Sequence, residues 1–320
     1  MSVEQSARSA ASSLPRSVRV REVGPRDGFQ NEPEVIATAD KLRLIELLLA
    51  SGIERLELTS FVRPDVIPQL ADAAELLDSV RRPEGRDCSF SVLVPNPRGL
   101  ERALQHLPNF DEISVFLSAS ETHNRHNVNR SIAESLAGLE KTINDARAAG
   151  LRCEGVIATS FGCPYEGRVE PERVFEIAAA LVEFGCVEIG FGDTTGMANP
   201  LQVGGFYRAA FERFGGAEIE LTAHFHNTRG QGLANVLAAL GAGVCSFESS
   251  FGELGGCPVP AGSTGNVASE DLVSMLHEMG IETGIDLDAL LVASRAVEAT
   301  LGRRLGAHLL RAGPVEWQHR

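Results

Sequence analysis

No stretch of this sequence approaches the roughly 18 consecutive apolar residues of a membrane-spanning helix, so no integral membrane segment is expected. Aromatic residues amount to 6%, with a single Trp and two Tyr, too few for a platform that stacks single-stranded nucleic acid. Basic residues are outnumbered: 29 Lys and Arg stand against 43 Asp and Glu, a net charge of −14. Such a surface repels nucleic acid and anionic membranes, and a polyanionic ligand would need a local basic patch. The six cysteines contain no C-x-x-C pair and are too dispersed for a disulfide scaffold, which predicts a reducing compartment, the cytoplasm. Residues 1–17 are rich in Ser, Ala and Arg but lack the apolar core of a secretory signal; a flexible terminal segment is expected.

What the chain does have is alternation. Short β-branched runs alternate with longer helical patterns over 320 residues that are 43% hydrophobic. Strands are expected at 18–23, 53–59, 88–94, 112–117, 151–159, 187–190, 219–226 and 244–249. Helices are expected at 40–50, 66–80, 99–106, 132–149, 171–184, 200–214, 230–240 and 269–279, with two more near 287–301 and 305–310. Eight strand–helix pairs of similar length with no linker predict one α/β domain over 18–320, a (β/α)8 TIM barrel with a C-terminal helical extension. An open doubly wound sheet is the alternative, but no G-x-G-x-x-G follows the first strand.

In such a barrel, chemistry gathers at the C-terminal ends of the strands. Those ends here carry Arg26 and Asp27, Glu57, Asp193, His224 and His226, with Cys257 and Asn266 in the loop after the last strand. His224 and His226 are two apart in a strand and so share a face, and with Asp27 from another strand they make a mixed nitrogen and oxygen set for a divalent ion. Two histidines satisfied by backbone hydrogen bonds are the alternative, but with Asp27 and Asn266 at matching ends the metal reading leads. Asp193 equally suits a helix-capping arrangement, and Glu57 a structural pair with Arg26 or Arg55. Cys257, after two glycines in a loop, is either an inert buried thiol or a reactive one. Gly24–Gly28 reads as a tight turn.

These residues belong to longer motifs. Val23-Gly24-Pro25-Arg26-Asp27-Gly28-Phe29-Gln30-Asn31-Glu32 resembles the opening signature of the 3-hydroxy-3-methylglutaryl-CoA lyases of the DRE-TIM metallolyase superfamily. The likeness continues through Glu57–Val62, Gly162–Gly167, Gly192–Gly196, His224–Thr228, Gly255–Pro258 and Gly265–Leu272. It implies that Asp27, His224, His226 and Asn266 bind a divalent ion, Mg²⁺ or Mn²⁺. It further implies that Arg26, Glu57, Asp193 and Cys257 are catalytic and that Glu270 lies close to the metal. The implied reaction is the retro-Claisen cleavage of 3-hydroxy-3-methylglutaryl-CoA to acetyl-CoA and acetoacetate, with a small acyl-CoA as the partner and a homo-oligomer as one possible assembly. Arg303 and Arg304 stand where the family's CoA-contacting tail lies, although Gly302 replaces a polar position of that pattern.

Some positions depart from the family. Phe29 replaces the usual Leu, and Asn227 a common Asp. The segment 118–127, dense in His and Arg, resembles through His123 the Ser-x-x-His pattern of related isopropylmalate and homocitrate synthases, unless it is only a solvated loop. A lyase of another acyl-CoA, such as citramalyl-CoA, is therefore one alternative. A Claisen-type synthase is another, weakened by the short tail after the barrel. A hydrolase with its His-x-His on the first strand and a catalytically dead barrel are weaker still.

Overall fold

A computed structural model describes residues 14–215, 218–256 and 264–317. Eight parallel strands close into a barrel in chain order. They are β1 (Arg19–Glu22), β2 (Arg55–Ser60), β3 (Ser89–Leu93), β4 (Glu112–Ser118), β5 (Arg152–Ala158), β6 (Glu188–Asp193), β7 (Glu220–Phe225) and β8 (Ser246–Ser249). Eleven α-helices are found among the described residues. They are α1 (Thr38–Ala50), α2 (Ala73–Ser79), α3 (Pro97–Ala103), α4 (Glu121–Val128), α5 (Ile132–Ala148), α6 (Pro171–Phe184), α7 (Pro200–Phe214), α8 (Gly232–Gly241), α9 (Ser269–Glu278), α10 (Leu287–Leu301) and α11 (Leu309–Ala312). The TIM-barrel expectation and its C-terminal helices are met. None of the described helices is long and apolar enough to cross a membrane.

Local chemistry sets the helix limits. Ser131 and Glu134 form a capping box at the start of α5. Pro171 opens α6, and Gly185, at φ 110°, closes it in the left-handed region. Gly302 does the same for α10 at φ 63°, so a backbone turn occupies the position where the family pattern has a polar side chain. The expected helix over 66–80 is broken into a 3-10 turn at Pro68–Leu70 and α2. Strand β6 runs three residues beyond its expected end, because Gly192 and Asp193 pair with His224 and Phe225 of β7. A neighbouring strand's hydrogen bonds override the local weakness of glycine.

The segment 118–127, for which a solvated loop is the alternative reading, is mostly helix. Ser120 caps α4 by accepting from the His123 N–H at 3.1 Å, and Asn124 is bonded on both sides of its amide, to the Ser118 N–H and the Arg130 carbonyl. With no apolar stripe, this helix is held by polar anchors that periodicity does not reveal. At the N-terminal end, Ser17 bridges to Glu282 and Val18 N–H bonds its carbonyl at 2.9 Å, so residues 16–18 are tied to the loop after α9.

The barrel interior departs from the usual aliphatic filling. Arg21 of β1 reaches Glu248 on the neighbouring β8 and, across the barrel interior, Glu112 of β4, Glu154 of β5 and Glu188 of β6. Arg55 of β2 adds a 2.5 Å contact to Glu188. Four carboxyls against two guanidinium groups leave negative charge in excess. Burial pushes the Glu154 carboxyl well above its ordinary range, against the pull of Arg21. The aliphatic and aromatic core lies outside the strands, beneath the helices.

Candidate active site

The loop after β1 winds as a π-turn over Gly24–Gly28 that sets Arg26 and Asp27 at the barrel mouth. Asp27 is buried and fully engaged. Its Oδ1 accepts from Arg26 Nη1 at 2.8 Å and Gln30 Nε2 at 2.7 Å, and its Oδ2 from Asn266 Nδ2 at 2.7 Å. Burial alone would raise its pKa, but Arg26, the two histidines and Asn266 outweigh that and hold it below the ordinary carboxylate value. His224 lies within β7 and His226 follows its last residue, as the two-residue period requires. Asn266 arrives from far along the chain: residues 265–268 lie against the β7 and β8 ends, through Val267 N–H to the Phe225 carbonyl and Ser250 N–H to the Val267 carbonyl.

Asp27, His224 and His226 each offer a ligand atom, all within 4.8 Å of one another. The two Nε2 atoms are 3.1 Å apart. Two ligands about 2.1 Å from a shared ion and at right angles lie about 3 Å apart, so this spacing fits a metal. Asn266 Oδ1 is buried without a partner, an oxygen left over beside the cluster. His224 Nδ1 lies 2.8 Å from Glu248 Oε2, which turns its Nε2 lone pair toward the cluster. His226 is pushed down to about 4 by burial and by His224, so it is neutral and free to donate its lone pair near pH 7. The donor set of two imidazoles, a carboxylate and an amide oxygen fits a divalent cation of the Mg²⁺, Mn²⁺ or Co²⁺ type.

Arg26 and Glu57 form a pair, Nε to Oε2 at 2.5 Å, as the structural alternative for Glu57 anticipated; the other glutamate oxygen is buried and unpaired. Asp193 divides its oxygens in the same way. Oδ1 accepts from the Met197 and Ala198 N–H groups at 2.8 and 3.0 Å, while Oδ2 has no partner. The helix cap itself is Asn199, which accepts from Gln202 N–H at 3.1 Å, so Asp193 braces the preceding turn and keeps one oxygen spare. Burial, against those two backbone donors, lifts Asp193 to about 7, where a carboxyl can both take and return a proton.

Cys257 lies outside the described residues. Arg303 is paired with Glu32, just past the β1 loop, which brings the start of the tail to the mouth; Arg304 is exposed. Glu270 is spent on the fold: both its oxygens accept from Gly252 N–H, at 3.0 and 3.1 Å. Opposite the metal cluster, His126 stacks on Tyr165 with ring centroids 4.8 Å apart, and the buried His123 lies 6.4 Å from the same ring. Thr159, at the end of β5, has φ +57°, a strained conformation for a β-branched residue, and its hydroxyl meets Ser118 Oγ at 2.6 Å.

Two contributors escaped the sequence reading. Glu248 was visible only as an acid inside an expected core strand. Gly255 was visible only as half of a Gly–Gly pair: at φ +93°, a Cβ there would lie 2.5 Å from Asn266 Nδ2 and 2.9 Å from Asp27 Oδ2. The cluster is thus walled by backbone that admits no side chain.

A closed barrel with convergent acids and imidazoles at its C-terminal mouth defines a TIM-barrel enzyme. A family model described as HMGL-like matches residues 17–297. The chain is 47% identical to the hydroxymethylglutaryl-CoA lyase YngG of Bacillus subtilis, covering 91% of this chain and 95% of that one. It is 42% identical to the (R)-citramalyl-CoA lyase of Chloroflexus aurantiacus, over 93% and 96%. Among solved structures, an HMG-CoA lyase of Acinetobacter baumannii in complex with coenzyme A and 3-methylmalate superposes with a TM-score of 0.89 at 40% identity, over 95% and 98%. The chain belongs to the hydroxymethylglutaryl-CoA lyase family of the DRE-TIM superfamily and is a carbon–carbon lyase.

Proposed function

We propose that this enzyme cleaves 3-hydroxy-3-methylglutaryl-CoA to acetyl-CoA and acetoacetate in a divalent-metal-dependent retro-Claisen reaction. The observation that carries this reading is the convergence of Asp27, His224 and His226 within 4.8 Å, beside an unpaired Asn266 oxygen. Those four residues would hold the ion, Mg²⁺ or Mn²⁺, which when bound supplies Lewis acidity to the substrate's hydroxyl and carboxylate oxygens. Asp193, with its spare Oδ2, takes the hydroxyl proton. The carbon–carbon bond then breaks, its electron pair passing to the carbon next to the thioester to give an enolate. Arg26, braced by Glu57 and permanently charged, stabilises that enolate oxygen. Cys257 is assigned the return of a proton to the enolate carbon, completing acetyl-CoA. Arg303 and Arg304 are assigned to the CoA phosphates.

Incubation of the purified protein with 3-hydroxy-3-methylglutaryl-CoA and Mg²⁺ or Mn²⁺ tests the reading. Acetoacetate and acetyl-CoA are expected, with both abolished by a chelator. A protein that binds metal yet yields neither product has a different substrate. The second reading is then citramalyl-CoA, favoured by the (R)-citramalyl-CoA lyase relative and by the His123, His126 and Tyr165 cluster. Release of free CoA from acetyl-CoA and a 2-oxoacid would instead indicate a synthase.

A further inference from the structure

Beneath the site lies the charged interior layer, and Arg21 is the point where it converges. Arg21 is 1% exposed, and its guanidinium contacts carboxylates from four other strands. Nη1 serves Glu154 and Glu248, the latter at 3.2 Å; Nη2 serves Glu112 and Glu188, the latter at 2.9 Å. A planar fork gripped on both nitrogens has no freedom to swing.

Glu154 and Glu188 have further partners within the layer, Ser114 and Thr222. Glu248 differs from them. Its Oε1 takes Arg21, and its Oε2 lies 2.8 Å from His224 Nδ1. The strand register explains the alignment: Arg21 stands opposite Glu248 across β1 and β8, and Glu248 opposite His224 across β8 and β7. Three residues on three adjacent strands therefore form one line that ends at the candidate metal cluster. A carboxylate held at Nδ1 keeps the proton there and leaves Nε2 as the ligand atom.

We propose that Arg21 is a positioning residue of the metal centre. It clamps Glu248 so that Glu248 fixes the ring angle and tautomer of His224. Arg21 touches neither ion nor substrate. The inference rests on the metal reading given above.

Calorimetric titration of Mn²⁺ into the metal-free, full-length protein tests it. Arg21→Lys keeps the charge but replaces the fork with a point charge, and is expected to weaken Mn²⁺ binding about 10- to 100-fold. Glu112→Gln removes a different Arg21 partner and is expected to leave Mn²⁺ affinity unchanged. In a Glu248→Gln background, Arg21→Lys is expected to bring no further loss. Wild-type affinity in Arg21→Lys, or the same fold-loss in both backgrounds, overturns the clamp while leaving the metal reading intact. Failure of the wild type to bind Mn²⁺ overturns both. Should Arg21→Lys not fold, the two glutamine variants decide. A loss confined to Glu248→Gln supports the clamp, and an equal loss in Glu112→Gln overturns it.

Discussion

The two sides of the barrel mouth are built differently. On the β1, β7 and β8 side, the polar atoms of Asp27 are all spoken for, His224 is braced from beneath by Glu248, and Gly255 closes the wall without a side chain. On the β4 and β5 side, His126 rests on a half-exposed Tyr165, and His123 Nδ1 has no partner. The first side is over-determined, as reacting groups held to a fraction of an ångström must be. The second is held by stacking and caps, and such a surface changes its shape with few substitutions. The contrast teaches that one mouth carries a wall of fixed geometry and a wall of adaptable contacts.

The largest effect is expected from emptying the rigid side. His226→Ala and Asp27→Asn should each abolish stoichiometric metal binding, measured by elemental analysis after dialysis. Turnover should fall by about 10³-fold or more, the equivalent of the several kcal/mol that an ion contributes. Full metal occupancy in either variant would break the comparison at its root. Next comes Gly255→Ala, whose new Cβ meets Asn266 and Asp27; metal affinity should drop about 10- to 100-fold with the fold retained by circular dichroism.

The opposite wall should respond in another currency. His123→Phe or Tyr165→Ala should leave bound metal unchanged while shifting the ratio of kcat/KM between two acyl-CoAs by about 10-fold, the scale of one altered pocket contact. Equal losses on every substrate would erase the division of labour.

The smallest effect concerns the acid beneath the rigid side. Burial raises Glu270 to about 8, so the folded chain holds a proton that the unfolded chain releases near pH 4. Its contribution to stability is therefore complete below pH 4 and is lost as pH rises through about 8. Glu270→Gln should flatten the fall in Tm between pH 4 and pH 8, followed by scanning calorimetry. An unchanged slope would show that the buried proton is held elsewhere.

Much of the barrel was legible because its signals are local. Apolar periodicity, with Pro171 and Gly185, marked α5 within a residue, and α6, α7 and α10 fell at their expected limits. Helix α4 was not legible, since its anchors are single polar contacts without a period. The end of β6 was misjudged because only pairing with β7 makes Gly192 and Asp193 a strand. At the site, His224-x-His226 was visible because a two-residue spacing fixes a shared face in any strand.

The sequence by itself determined the order of strands and helices, the pairing of two histidines on one face, and the family, because these depend on neighbours along the chain. Tertiary structure alone decided that Asn266 stands against Asp27 and that one Asp193 oxygen is spare while the other braces a turn. It alone decided that Glu248 links His224 to a buried arginine on β1. Those facts depend on distances between residues up to 239 positions apart, which barrel closure sets and no local propensity encodes.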